Sequence, residues 1–197
     1  MTKQESKAQG DDLHRLLFEP NIRINDPIDN KVLADFLGEL AEVRSSGQDL
    51  VMELNTIGGD PDISRRIAHE VRLFAAHSGR SAVCVGKTYV YSAGINILAA
   101  FRKSCRYLTE DVILLVHERQ LENVSLSLSG PLASAIQIVQ EELSLLETSR
   151  KLENEGFAEL VEGSRLTVEE LRKCIRANCY MTAQQFLDHG LVEKILR

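Results

Sequence analysis

A chain of 197 residues that is 44% hydrophobic and 26% charged, with 12 glycines and 4 prolines, has the composition of one compact domain with a sizeable core. Apolar runs such as Val112 to Val116 fall far short of the roughly 18 residues a membrane-spanning helix needs, and a net charge of −6 gives no general attraction to phosphate, so neither membrane nor nucleic acid is an expected partner. The opening residues, MTKQESKAQGDD, lack the basic start and apolar stretch of a secretory signal, which makes the cytoplasm the expected location.

Residues 1–12 are polar and unpatterned and read as a flexible arm, leaving 13–197 as a single domain that no linker or repeat divides. A short helix or extended segment from Leu13 precedes a strand near Asn21 to Ile24. A helix is predicted from Asn30 to about Arg44, because Val32, Leu33, Phe36, Leu37, Leu40 and Val43 share one face and Asp29-Asn30 offers an N-cap. Leu50 to Leu54 reads as a strand, Gly58-Gly59 as a turn, and Ile63, Ile67, Val71 and Phe74 as the buried stripe of the next helix. The pattern repeats, with Ala82 to Gly86 as strand, Ser92 to Phe101 as helix and Val112 to Val116 as a strand ending at His117. Strands alternating with helices imply right-handed crossovers and a mostly parallel sheet, an α/β fold.

Beyond His117 a polar stretch leads into a long helical pattern through Ile136, Val139, Leu143, Leu146 and Leu152. Thr167 with Glu170 forms a capping-box pattern, a short helix from Thr182 stops at Gly190, and Leu191 to Leu196 reads as a last strand. The cysteines Cys84, Cys105, Cys174 and Cys179 include no Cys-x-x-Cys pair, so all four read as free thiols, with neither a zinc site nor a disulfide framework. No nucleotide-binding motif is present, and no cofactor is expected.

Three features fall where a parallel α/β fold places chemistry, at strand ends and helix starts. The paired Gly58-Gly59 after a strand frees backbone N–H groups to face an anion or oxyanion, although such a pair also serves as a plain tight turn. Ser92 opens a helix whose N-terminal N–H groups favour developing negative charge, although a serine there is most often an N-cap. His117 ends a buried strand, the position of a general base or of a satisfied structural histidine. The remaining histidines, His14, His69, His77 and His189, have no partner motif and read as surface residues. Tyr89-Val90-Tyr91 ahead of Ser92 lacks the first glycine of a Gly-x-Ser-x-Gly nucleophile elbow, which disfavours an α/β-hydrolase.

Taken together, Asn55-Thr56-Ile57-Gly58-Gly59, Ser92-Ala93-Gly94, His117 at 25 positions after Ser92, Tyr180-Met181-Thr182-Ala183 and Gly190-Leu191-Val192 resemble the ordered motifs of the Clp protease proteolytic subunit (ClpP) family. The resemblance runs from about Leu13 to the C-terminus. It implies the α/β spiral of βαβ units shared by ClpP and crotonases, with a helical handle projecting from the region of about residues 118–160. It further implies a serine endopeptidase acting on peptides or unfolded proteins inside stacked homo-oligomeric rings. Ser92 would be the nucleophile, His117 its general base, Asn178 the third member, and the N–H groups of Gly58 and Ala93 the oxyanion hole.

The chain departs from the family in three places. Asn178 stands where the family carries its catalytic aspartate, and His117-Glu118-Arg119 replaces the family's His-Gln-Pro. The polar arm replaces the apolar N-terminal pore segment, which leaves an ATPase unfoldase partner unassigned. An asparagine can accept a hydrogen bond from imidazole but adds no charge, and the equivalent exchange in a serine triad costs on the order of 10⁴ in kcat. A weak or inactive ring subunit is therefore the alternative, with a crotonase-type acyl-CoA enzyme, which needs no serine, behind it.

Overall fold

The computed structural model describes residues 14–120 and 126–197; the arm expected at residues 1–12 lies outside them. The elements run β1 (Ile22–Ile24), α1 (Asn30–Ser46), β2 (Leu50–Thr56), α2 (Pro61–His77), β3 (Ala82–Tyr91), α3 (Ala93–Ala99), β4 (Arg106–Thr109) and β5 (Ile113–Val116). They continue with α4 (Leu132–Val161), α5 (Val168–Ile175), β6 (Cys179–Thr182), α6 (Ala183–Asp188) and β7 (Lys194–Leu196). No described helix is long and apolar enough to cross a membrane.

The helices begin where side chains satisfy their free N–H groups. Asp29 accepts from the Val32 N–H at the start of α1, and Asp60 accepts from Asp62 and Ile63 at the start of α2, where Pro61 needs no partner. Thr167 with Glu170, and Thr182 with Gln185, form complete capping boxes for α5 and α6. Behind these caps, Phe36 and Leu40 of α1 and Ile67 and Val71 of α2 are buried in one core with Met52, Leu54, Cys84 and Val90 of the sheet. Burial pushes the Cys84 thiol up, so it is an inert core residue.

The sheet path is β1-β2-β3-β4-β7, parallel throughout. β5 leaves that path: it pairs in parallel with the end of β3 and antiparallel with β6. One strand serves both branches, because Cys84 to Gly86 of β3 pair with β4 while Tyr89 to Tyr91 pair with β5. Between the two halves the backbone kinks at Thr88, φ 51°. The strand predicted to end at Gly86 thus continues to Tyr91. Lys87, polar and mid-strand, is satisfied by Glu53 of β2 at 2.6 Å and by the Leu17 carbonyl at 2.7 Å.

Arg106 is the one buried guanidinium among the described residues, and its hydrogen bonds all go to main-chain carbonyls: Ala99 and Phe101 at the end of α3, Glu159 and Leu160 at the end of α4, and Leu191. The C-terminal end of a helix presents unpaired carbonyls and partial negative charge, so two such ends can neutralise a cation without a carboxylate. Burial holds the guanidinium down to about 10, still protonated at neutral pH.

The long helix α4 divides by burial. Phe157 and Leu160 near its end are buried, whereas Leu132, Ile136, Leu143 and Leu145 near its start are exposed, Leu132 by 77%. This is the projecting handle, and its buried end, which stops at Val161, docks on α3.

The free-thiol expectation fails for two cysteines: Cys174 and Cys179 form a disulfide across the turn from α5 to β6, while Cys84 and Cys105 are free. Their spacing fits no common motif, but a tight turn brings the Cα atoms to 5.1 Å, within disulfide reach.

Glu70, buried on α2, bonds Arg44 of α1 and Arg66 one turn earlier, and Arg44 first and Arg66 second hold its carboxyl below the usual carboxylate range against the effect of burial. A carboxyl lowered by folding stabilises the folded state above its ordinary titration range, and that stabilisation is lost as pH falls through the lowered value. Glu70→Gln is expected to cost about 2 kcal/mol at pH 7 in urea unfolding, with the gap to wild type closing as both are titrated below the carboxylate range. A gap independent of pH would show that the charge is not what matters.

Candidate active site

The site forms where β2, β3 and β5 end. β2 stops at Thr56, whose buried hydroxyl donates to the Asp26 carbonyl at 2.8 Å and accepts the Gly58 N–H at 3.1 Å. The chain then turns through Ile57-Gly58-Gly59 and is held against Ile28, whose N–H donates to the Gly58 carbonyl and whose carbonyl accepts from Asp60, each at 2.8 Å. Both glycines are required by their backbones, φ 96° and 145°. A Cβ on Gly58 would lie 2.6 Å from the Cβ of Ser92, and one on Gly59 would strike the Ile28 carbonyl. The tight turn and the candidate oxyanion turn are therefore one structure.

Ser92 occupies the position before α3, but its hydroxyl caps nothing. Its backbone sits at φ 54°, ψ −118°, a conformation costing a non-glycine residue on the order of 1–3 kcal/mol. Two contacts hold it there. The Ser92 N–H donates to the Leu115 carbonyl of β5 at 2.8 Å, and Gly94 lets α3 approach Thr56 so closely that an added Cβ would lie 2.6 Å from the threonine methyl. The hydroxyl is left at the start of a helix, beside Ala93, whose N–H belongs to the unpaired first turn.

His117 follows β5 directly. Because Tyr91 is in register with Leu115, Ser92 and His117 leave neighbouring strands one and two residues later. Their side chains border the same cleft, of about 750 Å³, but no hydrogen bond joins them. Instead the His117 Nδ1 lies 2.6 Å from the Glu118 carbonyl. The residues after His117 are pinned on both sides of the cleft: the Arg119 N–H donates to Glu153 of α4, and the Arg119 guanidinium donates to Asp62 in the first turn of α2 at 2.7 Å.

Asn178 also borders the cleft, exposed at its rim. Its backbone is left-handed, φ 58°, a conformation asparagine tolerates well, and its N–H closes the end of α5 on the Ile175 carbonyl at 3.2 Å. Its side chain makes no hydrogen bond to His117. Of the two expected oxyanion donors, Ala93 lines the cleft, while the Gly58 N–H is held by Thr56 and it is Gly59 that reaches the cleft wall. Val116, Ile95, Leu152 and Phe157 supply an apolar lining. Sequence reasoning named the Gly58-Gly59 pair but gave no role to Thr56, Arg119 or Glu153. Thr56 was available as the residue at which the β2 pattern gives way to glycine, but Glu153 lies on a helix distant in the chain, with no local signal.

The Clp protease family profile matches residues 3–197. Among curated proteins, the chain is 25% identical over 202 residues to an ATP-dependent Clp protease proteolytic subunit from Ligilactobacillus salivarius (strain UCC118), an alignment covering 98% of this chain and 93% of that one. Among solved structures, an Asn-to-Asp mutant of ClpP1 from Listeria monocytogenes superposes with a TM-score of 0.71 at 19% identity, covering 89% of this chain and 90% of the other, which shows the shared fold. With a profile match over nearly its whole length, this chain belongs to the Clp protease family.

Proposed function

We propose that the chain is a serine endopeptidase of the ClpP type. The observation that carries this reading is Ser92: a non-glycine residue held at positive φ, its hydroxyl released from capping and set at a helix start beside the cleft. A peptide in the cleft places its scissile carbonyl against Ser92. As Oγ attacks, Nε2 of His117 takes the hydroxyl proton and then gives it to the leaving amine; water repeats the sequence on the acyl-enzyme. The oxyanion is met by the Ala93 N–H and by the glycine turn, where the Gly58 N–H exchanges the Thr56 hydroxyl for the developing charge. The Ser92 hydroxyl must meet Nε2 of His117 as substrate binds, since catalytic hydrogen bonds in unliganded sites are often unmade.

A second reading, a ring subunit of weak or no activity, is favoured by one observation: Asn178 brings neither a charge nor a hydrogen bond to His117. The two separate by experiment. A fluorophosphonate probe is expected to label wild type and not Ser92→Ala, and Asn178→Asp, which sets a carboxylate at the rim of the cleft, is expected to raise kcat/KM on a short fluorogenic peptide by tenfold or more, about 1.4 kcal/mol of transition-state energy. A folded, assembled wild type that neither labels nor hydrolyses would establish the second reading.

The reading includes assembly into homo-oligomeric rings, supported by Leu132, Ile136, Leu143 and Leu145 standing exposed along α4. Sedimentation at micromolar concentration is expected to show an oligomer, and substituting Leu143 and Leu145 by Asp to reduce its size. A wild-type monomer would reject a proteolytic chamber.

A further inference from the structure

The peptide group joining Glu118 to Arg119 is bonded at both ends. Its carbonyl meets Nδ1 of His117 at 2.6 Å, and its N–H donates to Oε1 of Glu153. A carbonyl oxygen can only accept, so a neutral His117 in this contact carries its proton on Nδ1 and leaves the Nε2 lone pair free. That is the tautomer in which a histidine can take a proton from a serine. Turning the peptide plane would break both bonds at once. The Glu153 carboxylate on the N–H also polarises the amide and strengthens its carbonyl as an acceptor. The Arg119 guanidinium, on Asp62 of α2 at 2.7 Å, ties the same residue to the opposite wall of the cleft. Proline at position 119 would have no N–H to give.

We infer that the Glu118 carbonyl, aimed by Glu153 through the Arg119 N–H, sets the tautomer of His117 in this chain, and that Glu153 and Arg119 are positioning residues. Asn178, exposed and turned into a helix-ending conformation, is not needed for that task. The kinetic half of this inference rests on the serine-peptidase reading; the tautomer does not, because it is measurable without turnover.

The test is imidazole ¹⁵N NMR at alkaline pH, with the His117 signals assigned by His117→Gln, alongside peptide hydrolysis. Wild type is expected to show the proton on Nδ1. Glu153→Ala is expected to move it toward Nε2, the form free imidazole prefers in water, and to lower kcat/KM by about tenfold through kcat, the worth of one charged hydrogen bond. Glu153→Gln, which keeps an acceptor oxygen, is expected to restore the tautomer and most of the rate. Should Glu153→Ala disturb folding or assembly, Asp62→Ala loosens the same residue from the other wall and is expected to shift the tautomer in the same direction. A wild-type proton on Nε2 overturns the inference. So does an Nδ1 proton that survives Glu153→Ala but is lost in Asn178→Ala, which assigns the role to the amide. Wild type that fails to hydrolyse yet keeps a Glu153-dependent Nδ1 proton defeats the peptidase reading alone and leaves the orientation standing.

Discussion

The backbone of Ser92 at φ 54° is the constraint around which the rest of the cleft is arranged. Left to itself the residue would relax to a negative φ and rotate its hydroxyl away. It is kept in place because β5 offers the Leu115 carbonyl to its N–H, because Gly58 leaves room for its Cβ, and because Gly94 lets α3 lie against Thr56. Each hold comes from a different element, so the conformation exists only when β2, β3, α3 and β5 are all in register. The kink at Thr88 belongs to the same arrangement, since it lets one strand pair with β4 early and with β5 late, and the late pairing brings Ser92 beside His117.

Helix α4 links two matters that its sequence keeps apart. Its exposed first half is a handle, yet its second half lines the cleft with Leu152 and Phe157 and reaches the residue after Glu118 through Glu153. A rigid helix transmits displacement along its axis. In the proposed assembly, contacts that seat the handle against another copy are mechanically continuous with the peptide that faces His117, so a displacement of the handle reaches that peptide through one element.

Legibility followed the physical signal. Where one face of a helix is buried and a polar residue must cap its start, sequence and structure agree closely: Asp29 before α1, Ile67, Val71 and Phe74 in α2, and the Thr167 to Glu170 box. Ser92, His117 and Gly58-Gly59 were legible because parallel strands end where chemistry gathers. β4 was not, because Arg106, a charged residue, occupies one of its most buried positions and its neutralising carbonyls are distant in the chain. β6 was hidden by shortness, and the far half of β3 by Lys87 and Thr88, polar residues satisfied by partners elsewhere in the fold. The surroundings of His117 were the least legible part, since Glu118 acts through its main chain, which no residue type announces.

Arg106 carries a consequence for the order in which the molecule is made. Two of its carbonyl partners, Ala99 and Phe101, precede it, but the others lie far downstream at Glu159, Leu160 and Leu191, separated from it by 53, 54 and 85 positions. A ribosome delivers these acceptors late, and a guanidinium buried with donors unmet is unfavourable by several kcal/mol. The end of α3, the helix that Ser92 begins, therefore closes only after Leu191 has been delivered. A chain cut before Leu191, or still emerging short of it, lacks an acceptor on which the closed end of the helix after Ser92 depends.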